Sequence, residues 1–345
     1  MPDDPPETLE PLLRTEGLTR HFGLGGLFSK QVLHAVDDFD LTIGEREIVA
    51  LVGESGSGKS TVARLLARLY TPTRGEIHYR GRSLQSLRSR KDVLWYRGEV
   101  PIVLQDPFSA FHPVFRVSHG IMRNLQLHRP ELGRDERRRE AERVCEAVEL
   151  SPRMLTRFPY EMSGGERQRI GFAQALAVRP KLILADEPVS MLDVSIRAGV
   201  LNMMASLRDR ESVSLLYITH DLASARYVAD RIVVMYAGHQ VESGPTETVL
   251  SEPKHPYTQL LLSAVADPHE KGGELSADTG EPPRVVNPGE GCRFRARCPL
   301  AIEKCGQVTP RPEPIGRARV ACHVAVARAG GRGSADATSV TSVTE

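Results

Sequence analysis

Residues 53–61, Gly53-Glu54-Ser55-Gly56-Ser57-Gly58-Lys59-Ser60-Thr61, fit the spacing G-x-x-x-x-G-K-[ST]. Three glycines let the backbone turn tightly and aim its N–H groups inward. The helix that opens behind them adds its own unsatisfied donors, and such a nest suits the oxygens of a polyphosphate. In that arrangement Lys59 bridges the β- and γ-phosphates and the Ser60 hydroxyl holds Mg2+. A second group closes an apolar run, Leu182-Ile183-Leu184-Ala185-Asp186-Glu187. Asp186, at the strand tip, reaches the Mg2+ through water, and Glu187 is placed to polarise an attacking water. A third, Ser163-Gly164-Gly165-Glu166-Arg167-Gln168-Arg169, stands just before a helix, where Gly164 and Gly165 again present N–H donors to an anion. One phosphate site has no need of two such turns. The economical reading is that the second serves a nucleotide held by another subunit.

These groups require strands and helices to place them. Phe39, Leu41 and Ile43 alternate with polar neighbours, as on a strand with one buried face. Glu47 to Val52 is a short apolar run ending in the Gly-rich loop, and Val62 to Leu69 follows as a helix. Leu182 to Ala185, Ser214 to Ile218 and Arg231 to Tyr236 read as further buried strands, with a helix over Asp193 to Asp209 between the first two. Alternating strands and helices predict an α/β fold with a mostly parallel sheet. Between about 106 and 175 the pattern becomes helical. In Arg134 to Leu150, Ala141, Val144, Cys145 and Val148 recur at i, i+3, i+4 and i+7, which makes Cys145 a small core residue.

Composition sets the outer limits. The chain has 345 residues, 45 Lys+Arg against 44 Asp+Glu, 40% apolar and 26% charged residues, as in a globular protein with a real core. A net charge of +1 argues against a surface devoted to nucleic acid, and 5% aromatics offer no base-stacking platform. The longest apolar stretch, Val189 to Leu207, is broken by Asp193 and Arg197, so no bilayer-spanning helix is expected. The N-terminus is acidic and lacks the apolar core of a secretory signal, so a cytosolic chain with reduced thiols is expected. The expected organisation is a disordered start (1–12), an ATPase-like domain (13–266), a Gly/Pro/acidic linker (267–289), a Cys-containing unit (290–323) and a disordered tail (324–345).

In order along the chain, the Gly-rich loop at 53–61, Gln105, Ser163–Glu166, Asp186-Glu187, Ser190-Met191-Leu192-Asp193 and His220 in Ile218-Thr219-His220-Asp221 resemble the ABC ATPase family. The resemblance implies an antiparallel β subdomain and a helical subdomain beside the parallel core, with ATP and Mg2+ as ligands. It implies that Gln105 senses Mg2+ and the γ-phosphate and couples to a membrane subunit, that Asp193 supports contact across a dimer, and that His220 orients water and γ-phosphate. It also implies an aromatic on adenine, for which Phe22 is chosen and Phe28 stands second.

Gln105-Asp106-Pro107-Phe108-Ser109, Glu187-Pro188-Val189-Ser190, Asp193-Val194-Ser195, His255-Pro256-Tyr257-Thr258 and Gly291-Cys292-Arg293-Phe294 through Leu300 narrow the likeness. Together they resemble ATPase subunits of bacterial dipeptide/oligopeptide importers, a group that includes nickel importers, over residues 14–323. The insertion Gly23 to Lys30 resembles the second of two paired ATPases. The implied partners are a homologous ATPase, two membrane permeases and, indirectly, an extracytoplasmic solute-binding protein, with the chain peripheral on the cytoplasmic face of the membrane. Met191 replaces a small residue and Gln174 an arginine of that pattern, while Glu166 is a common substitute for Gln; none removes a phosphate, metal or water-positioning group. The alternatives are an importer of nickel or another small solute and a soluble ABC ATPase acting on nucleic acid or ribosomes, against the latter of which stand the single ATPase unit and the neutral charge balance.

Cys292, Cys298, Cys305 and Cys322, separated by five, six and sixteen residues, could enclose a tetrahedral Zn2+ or a [4Fe–4S] cluster. The absence of close C-x2-C pairs tilts the choice to the cluster, and the importer resemblance implies one as well. Its expected role is to fold the C-terminal unit, with nucleotide binding at Lys59 left in place when it is lost.

Overall fold

The computed structural model describes residues 10–25, 30–106, 111–266 and 285–333. Among these, twelve strands run in chain order: β1 (Leu13–Leu24), β2 (Gln31–Ile43), β3 (Ile48–Val52), β4 (Arg74–Tyr79), β5 (Arg82–Ser83), β6 (Ile102–Val103), β7 (Leu182–Asp186), β8 (Ser214–Thr219), β9 (Arg231–Tyr236), β10 (His239–Pro245), β11 (Glu313–Ile315) and β12 (Ala318–Val320). They form an antiparallel sheet of order β2-β1-β4-β5 and a larger sheet of order β11-β12-β10-β9-β3-β8-β7-β6. In the larger sheet β9, β3, β8, β7 and β6 are mutually parallel. β10, β12 and β11 extend it antiparallel.

The parallel strands are apolar along their interiors because both their faces are covered. Ile48, Ala50 and Val52 of β3 belong to the core shared with the helices, whereas Val49 and Leu51 belong to the core under the antiparallel sheet. Period-two alternation carries the two cores on the two faces of one strand. In β2, Phe39, Leu41 and Ile43 are all buried, as their alternation predicted. The strand they lie on is nevertheless the second, since β1 precedes it and pairs with it antiparallel.

The helical region holds helices Ser118–His128, Arg134–Ala147 and Gly164–Leu176. Ala141, Val144, Cys145 and Val148 are buried as one face. Burial pushes the Cys145 thiol up to about 11, as fits an inert core thiol. The helix stops at Ala147, before the expected Leu150, because Glu149 takes a left-handed φ of 60°.

Two expectations about the C-terminus change. The cysteine-bearing segment is not set apart from the ATPase-like domain: β12 pairs with β10 (Glu242↔Val320), and Phe294 and Cys322 belong to the main core. Residues 324–333, expected within a disordered tail, belong to the helix His323–Gly333, with Val324 and Ala325 packed against that core. The expected disordered start through residue 9, most of the linker (267–284), the tail from 334, Phe28 and Pro107–Ser109 lie outside the described residues. Among the described residues no helix is long and apolar enough to cross a membrane.

Candidate nucleotide site

Parallel strands deliver their C-terminal ends to one edge of a sheet, and open α/β sheets bind ligands at that edge. Here β3 ends at Val52, before Gly53. Its neighbour β8 ends at Thr219, paired with Val52 and followed by His220. β7 ends at Asp186, paired with Ile218, and β6 ends two residues before Gln105. Register alone therefore gathers four motifs spread over nearly 170 residues.

The Gly-rich loop runs into the helix Lys59–Leu66. Gly58 has φ 106°, and a Cβ there would lie 2.2 Å from the Ala35 carbonyl oxygen. A Cβ on Gly53 would lie 2.1 Å from the Met235 carbonyl oxygen. The turn thus needs glycine both for its dihedral and for its close approach to β2 and β9. The Lys59 ammonium donates to the carbonyls of Gly53 (2.7 Å) and Glu54 (2.8 Å). Burial pulls its pKa below the usual range, against the attraction of Glu187, Asp186 and Glu54. An incoming polyphosphate would supply the compensating charge that a buried ammonium wants.

Ser60 Oγ donates to Asp186 Oδ1 at 3.0 Å. Asp186 is buried, and burial raises its pKa against the Ser60 hydrogen bond. A hydroxyl, a carboxylate and the nearby Gln105 amide form an oxygen-only donor set, which fits a hard cation such as Mg2+. The Glu187 carboxylate accepts from Gln105 Nε2 at 3.0 Å and lies 3.4 Å from His220 Nδ1. Its backbone adopts a left-handed φ of 47°, fixed by N–H donation to the Ile218 carbonyl at 3.0 Å. Ser190 Oγ closes the same turn on the Glu187 carbonyl at 3.0 Å. A carboxylate so held is turned into the cleft rather than left as a solvated strand end.

The cleft encloses about 900 Å3, enough for a nucleotide. Ser55, Gly56, Gly58, Lys59, Ser60 and Thr61 line it together with Glu54, Gln105, Glu187 and His220. Gly53 and Ser57, of the same loop, are not among the lining residues. Phe22 lines the opposite wall, edge-on to Tyr70 and beneath the Arg20 guanidinium at 4.4 Å. Ser163, Gly164, Gly165, Glu166 and Asp193 are not among the lining residues. Ser163 and Glu166 instead form a reciprocal cap on the helix Gly164–Leu176, and Gly165 is small because a Cβ would meet Ile196 Cγ2 at 2.3 Å. Within one chain, then, four of the six motifs build the cleft and the other two stand away from it.

Some partners of the site were not anticipated. His21 and His34 face each other across β1 and β2 and both bond the Asp37 carboxylate, which also takes the Arg293 guanidinium. Among the described residues, His21, His34 and Asp37 are the one group of potential metal ligands with atoms all within 4.8 Å. Arg293 already brings a positive charge there. Burial alone would raise the Asp37 carboxyl, but hydrogen bonds from His21 and Arg293 hold it well below the carboxylate range. The four thiols of Cys292, Cys298, Cys305 and Cys322 line a second, small cavity with His255 and Phe294. Burial pushes the Cys292 thiol up to about 11 and raises that of Cys298.

Residues 36–190 match the family model described as ABC transporter, and residues 241–305 match the model described as the C-terminal region of oligopeptide/dipeptide transporters. YkfD of Bacillus subtilis (strain 168), named as an oligopeptide transport ATP-binding protein, is 41% identical over 91% of this chain and 95% of its own length. The oligopeptide transport ATP-binding protein OppF of Salmonella typhimurium is 40% identical over 85% and 88%. The ATP-binding cassette MJ0796, solved as a dimer with ADP and Pi, superposes with a TM-score of 0.61 at 26% identity, covering 68% of this chain and 98% of that one.

Proposed function

This chain belongs to the ABC-transporter ATP-binding proteins of oligopeptide and dipeptide transport, and we propose that it drives peptide import by hydrolysing ATP–Mg2+ between itself and a second ATPase subunit held head to tail. The carrying observation is the division of its motifs. Lys59, Ser60, Gln105, Glu187 and His220 line the cleft, with Asp186 bonded to Ser60 behind them, while Ser163–Glu166 and Asp193 stand clear of it with the N-terminus of a thirteen-residue helix. Phosphate donors that face away from their own site are accounted for by a partner's nucleotide. The partner's signature turn would in return cap the γ-phosphate held by Lys59 and Ser60, with Phe22 on the adenine.

In the closed pair, donors aimed at developing charge and the exclusion of water lower the barrier, and Glu187 takes the proton of the attacking water while His220 orients it. Mg2+, when bound, neutralises charge on the transferred phosphoryl group, with Ser60, Asp186 and Gln105 as the residues that would hold it. A homologous heterodimer partner, two permeases, a solute-binding protein and a peripheral position on the cytoplasmic face complete the reading. Exposed apolar side chains beyond Gln105 support docking to the permeases. Val114 is 70% exposed, Phe115 is exposed beside it, and Arg116 covers the ring of Phe158, itself stacked on exposed Tyr160. Co-purification of permeases with the tagged chain from membranes tests the assembly; capture of RNA or DNA in their place would overturn it.

The thiol cavity belongs to the same reading. Four thiolates on one Zn2+ stand about 3.8 Å apart, given Zn–S bonds of about 2.3 Å, and no three of these sulfurs lie within 4.8 Å of one another. A [4Fe–4S] cluster, whose thiolates bind four separate irons, is the reading that the spacing of the four cysteines along the chain favours. About four irons per chain in anaerobically purified protein, lost in Cys298→Ser, is the expected analysis. About one zinc supports the tetrahedral alternative, and neither metal refutes both.

A further inference from the structure

The loop between the first two of these cysteines, Cys292-Arg293-Phe294-Arg295-Ala296-Arg297-Cys298, carries arginines immediately after Cys292 and immediately before Cys298. Arg297 forms a two-pronged ion pair with Glu54, Nη1 to Oε2 at 2.9 Å and Nη2 to Oε1 at 3.1 Å. The pair is largely sheltered, its side chains 13% and 23% exposed. Glu54 is the second residue of the phosphate loop, and its carbonyl receives the Lys59 ammonium. Its N–H donates to Tyr257 Oη at 2.9 Å, and Tyr257 packs against Phe294 of the same cysteine loop. Arg293 holds the other side. It bonds the Ala237 carbonyl and Asp37, while the next residue, Gly238, donates its N–H to the Ser57 carbonyl at 2.8 Å.

Two consequences follow from this geometry. The phosphate loop is gripped at Glu54 and at Ser57 by groups that depend on residues 292–298, so its shape is set from outside its own segment. And Glu54 would present a bare carboxylate to an incoming polyphosphate if Arg297 did not neutralise it. A planar guanidinium meeting a carboxylate at two points is the geometry that fixes position as well as charge.

We propose that Arg297, seconded by Arg293, is a positioning residue of the nucleotide site, and that through it the cysteine loop sets the affinity for ATP. The inference rests on the ATPase reading above. Arg297 touches the phosphate loop and not the reacting atoms, so it acts on ground-state binding. In the assembled transporter Arg297→Ala raises KM for ATP and leaves kcat at saturating ATP near the wild-type value.

The test is a titration of the full-length, anaerobically prepared chain with a fluorescent ATP analogue and Mg2+, for wild type, Arg297→Ala, Arg297→Lys, Glu54→Gln and the double variant Glu54→Gln/Arg297→Ala. Arg297→Ala is expected to bind about five- to thirty-fold more weakly, the factor that a loss of about 1–2 kcal/mol gives. Arg297→Lys, which keeps the charge and loses the fork, falls between. In the Glu54→Gln background the same alanine costs far less, because the carboxylate it neutralised is gone. Cys298→Ser, expected from sequence alone to leave nucleotide binding in place, here weakens it in the same direction, because the cysteine loop carries Arg297, and is likewise muted by Glu54→Gln. Equal losses in both backgrounds, or no loss, overturn the positioning role. An unchanged affinity in Cys298→Ser overturns the link to the thiols. Wild-type protein whose binding does not depend on Lys59 would instead sink the ATPase reading, so the two failures are told apart. Circular dichroism of each variant guards against simple unfolding, and the conservative Arg297→Lys keeps the test decisive if the alanine variant does not fold.

Discussion

Replacing Glu187 by glutamine isolates proton acceptance from everything else the residue does. The amide has the shape of the carboxylate and retains a carbonyl oxygen, so the 3.0 Å contact with Gln105 can persist. The left-handed backbone and its bond to the Ile218 carbonyl belong to the main chain and are untouched. Lys59, Ser60 and Asp186 remain as they were, and ATP–Mg2+ binding is expected within about twofold of wild type. What the amide cannot do is take a proton. A general base contributes about 10²–10⁴-fold, or roughly 3–5 kcal/mol of barrier. Single-turnover hydrolysis in the assembled transporter, with the partner subunit's site inactivated, should slow by that factor while equilibrium binding of a fluorescent ATP analogue holds. Wild-type turnover in Glu187→Gln under those conditions would show that another group takes the proton. A loss of binding equal to the loss of rate would show that Glu187 shapes the cleft.

Gly58→Ala forces a left-handed alanine into the Ala35 carbonyl, 2.2 Å away, and should cost about 2–5 kcal/mol in chemical denaturation. Asp186→Asn relieves a buried carboxylate whose pKa burial raises, so the nucleotide-free chain should melt no lower than wild type. The stabilisation by Mg–ATP, about 2.7 kcal/mol at a hundredfold excess over Kd, should largely vanish in that variant. Asp37→Asn leaves the buried Arg293 guanidinium unpaired and should cost about 3 kcal/mol at neutral pH. The folded Asp37 pKa is depressed, so its contribution is present above the unfolded value of 3.8 and is lost as pH falls below it. The gap in unfolding midpoint between wild type and Asp37→Asn should therefore narrow progressively as pH falls below about 4.

Contiguous motifs were legible because their chemistry is local. A run of buried apolar residues followed by glycines and Lys59 specifies strand, turn and helix within twenty residues, and the same held for Leu182–Glu187 and for the face Ala141, Val144, Cys145 and Val148. The motif order along the chain was enough to place it among ABC ATPases. β1 left no such trace, since Arg14, Glu16 and Arg20 interrupt its apolar positions and its pairing with β2 and β4 supplies what its own pattern lacks. That Ser163–Glu166 serves a site other than its own chain's is legible in the redundancy of a second anion turn, but its place outside the cleft is fixed by strand register, which decides which motifs meet. Arg297 and Glu54 are 243 positions apart, and Arg293 and Asp37 are 256 apart. An ion pair of that separation exists only once β12 docks beside β10 and Phe294 enters the core. Periodicity reports which face of an element is buried. What that face is buried against is decided by packing, and so the joining of the cysteine loop to the phosphate loop belongs to the tertiary structure alone.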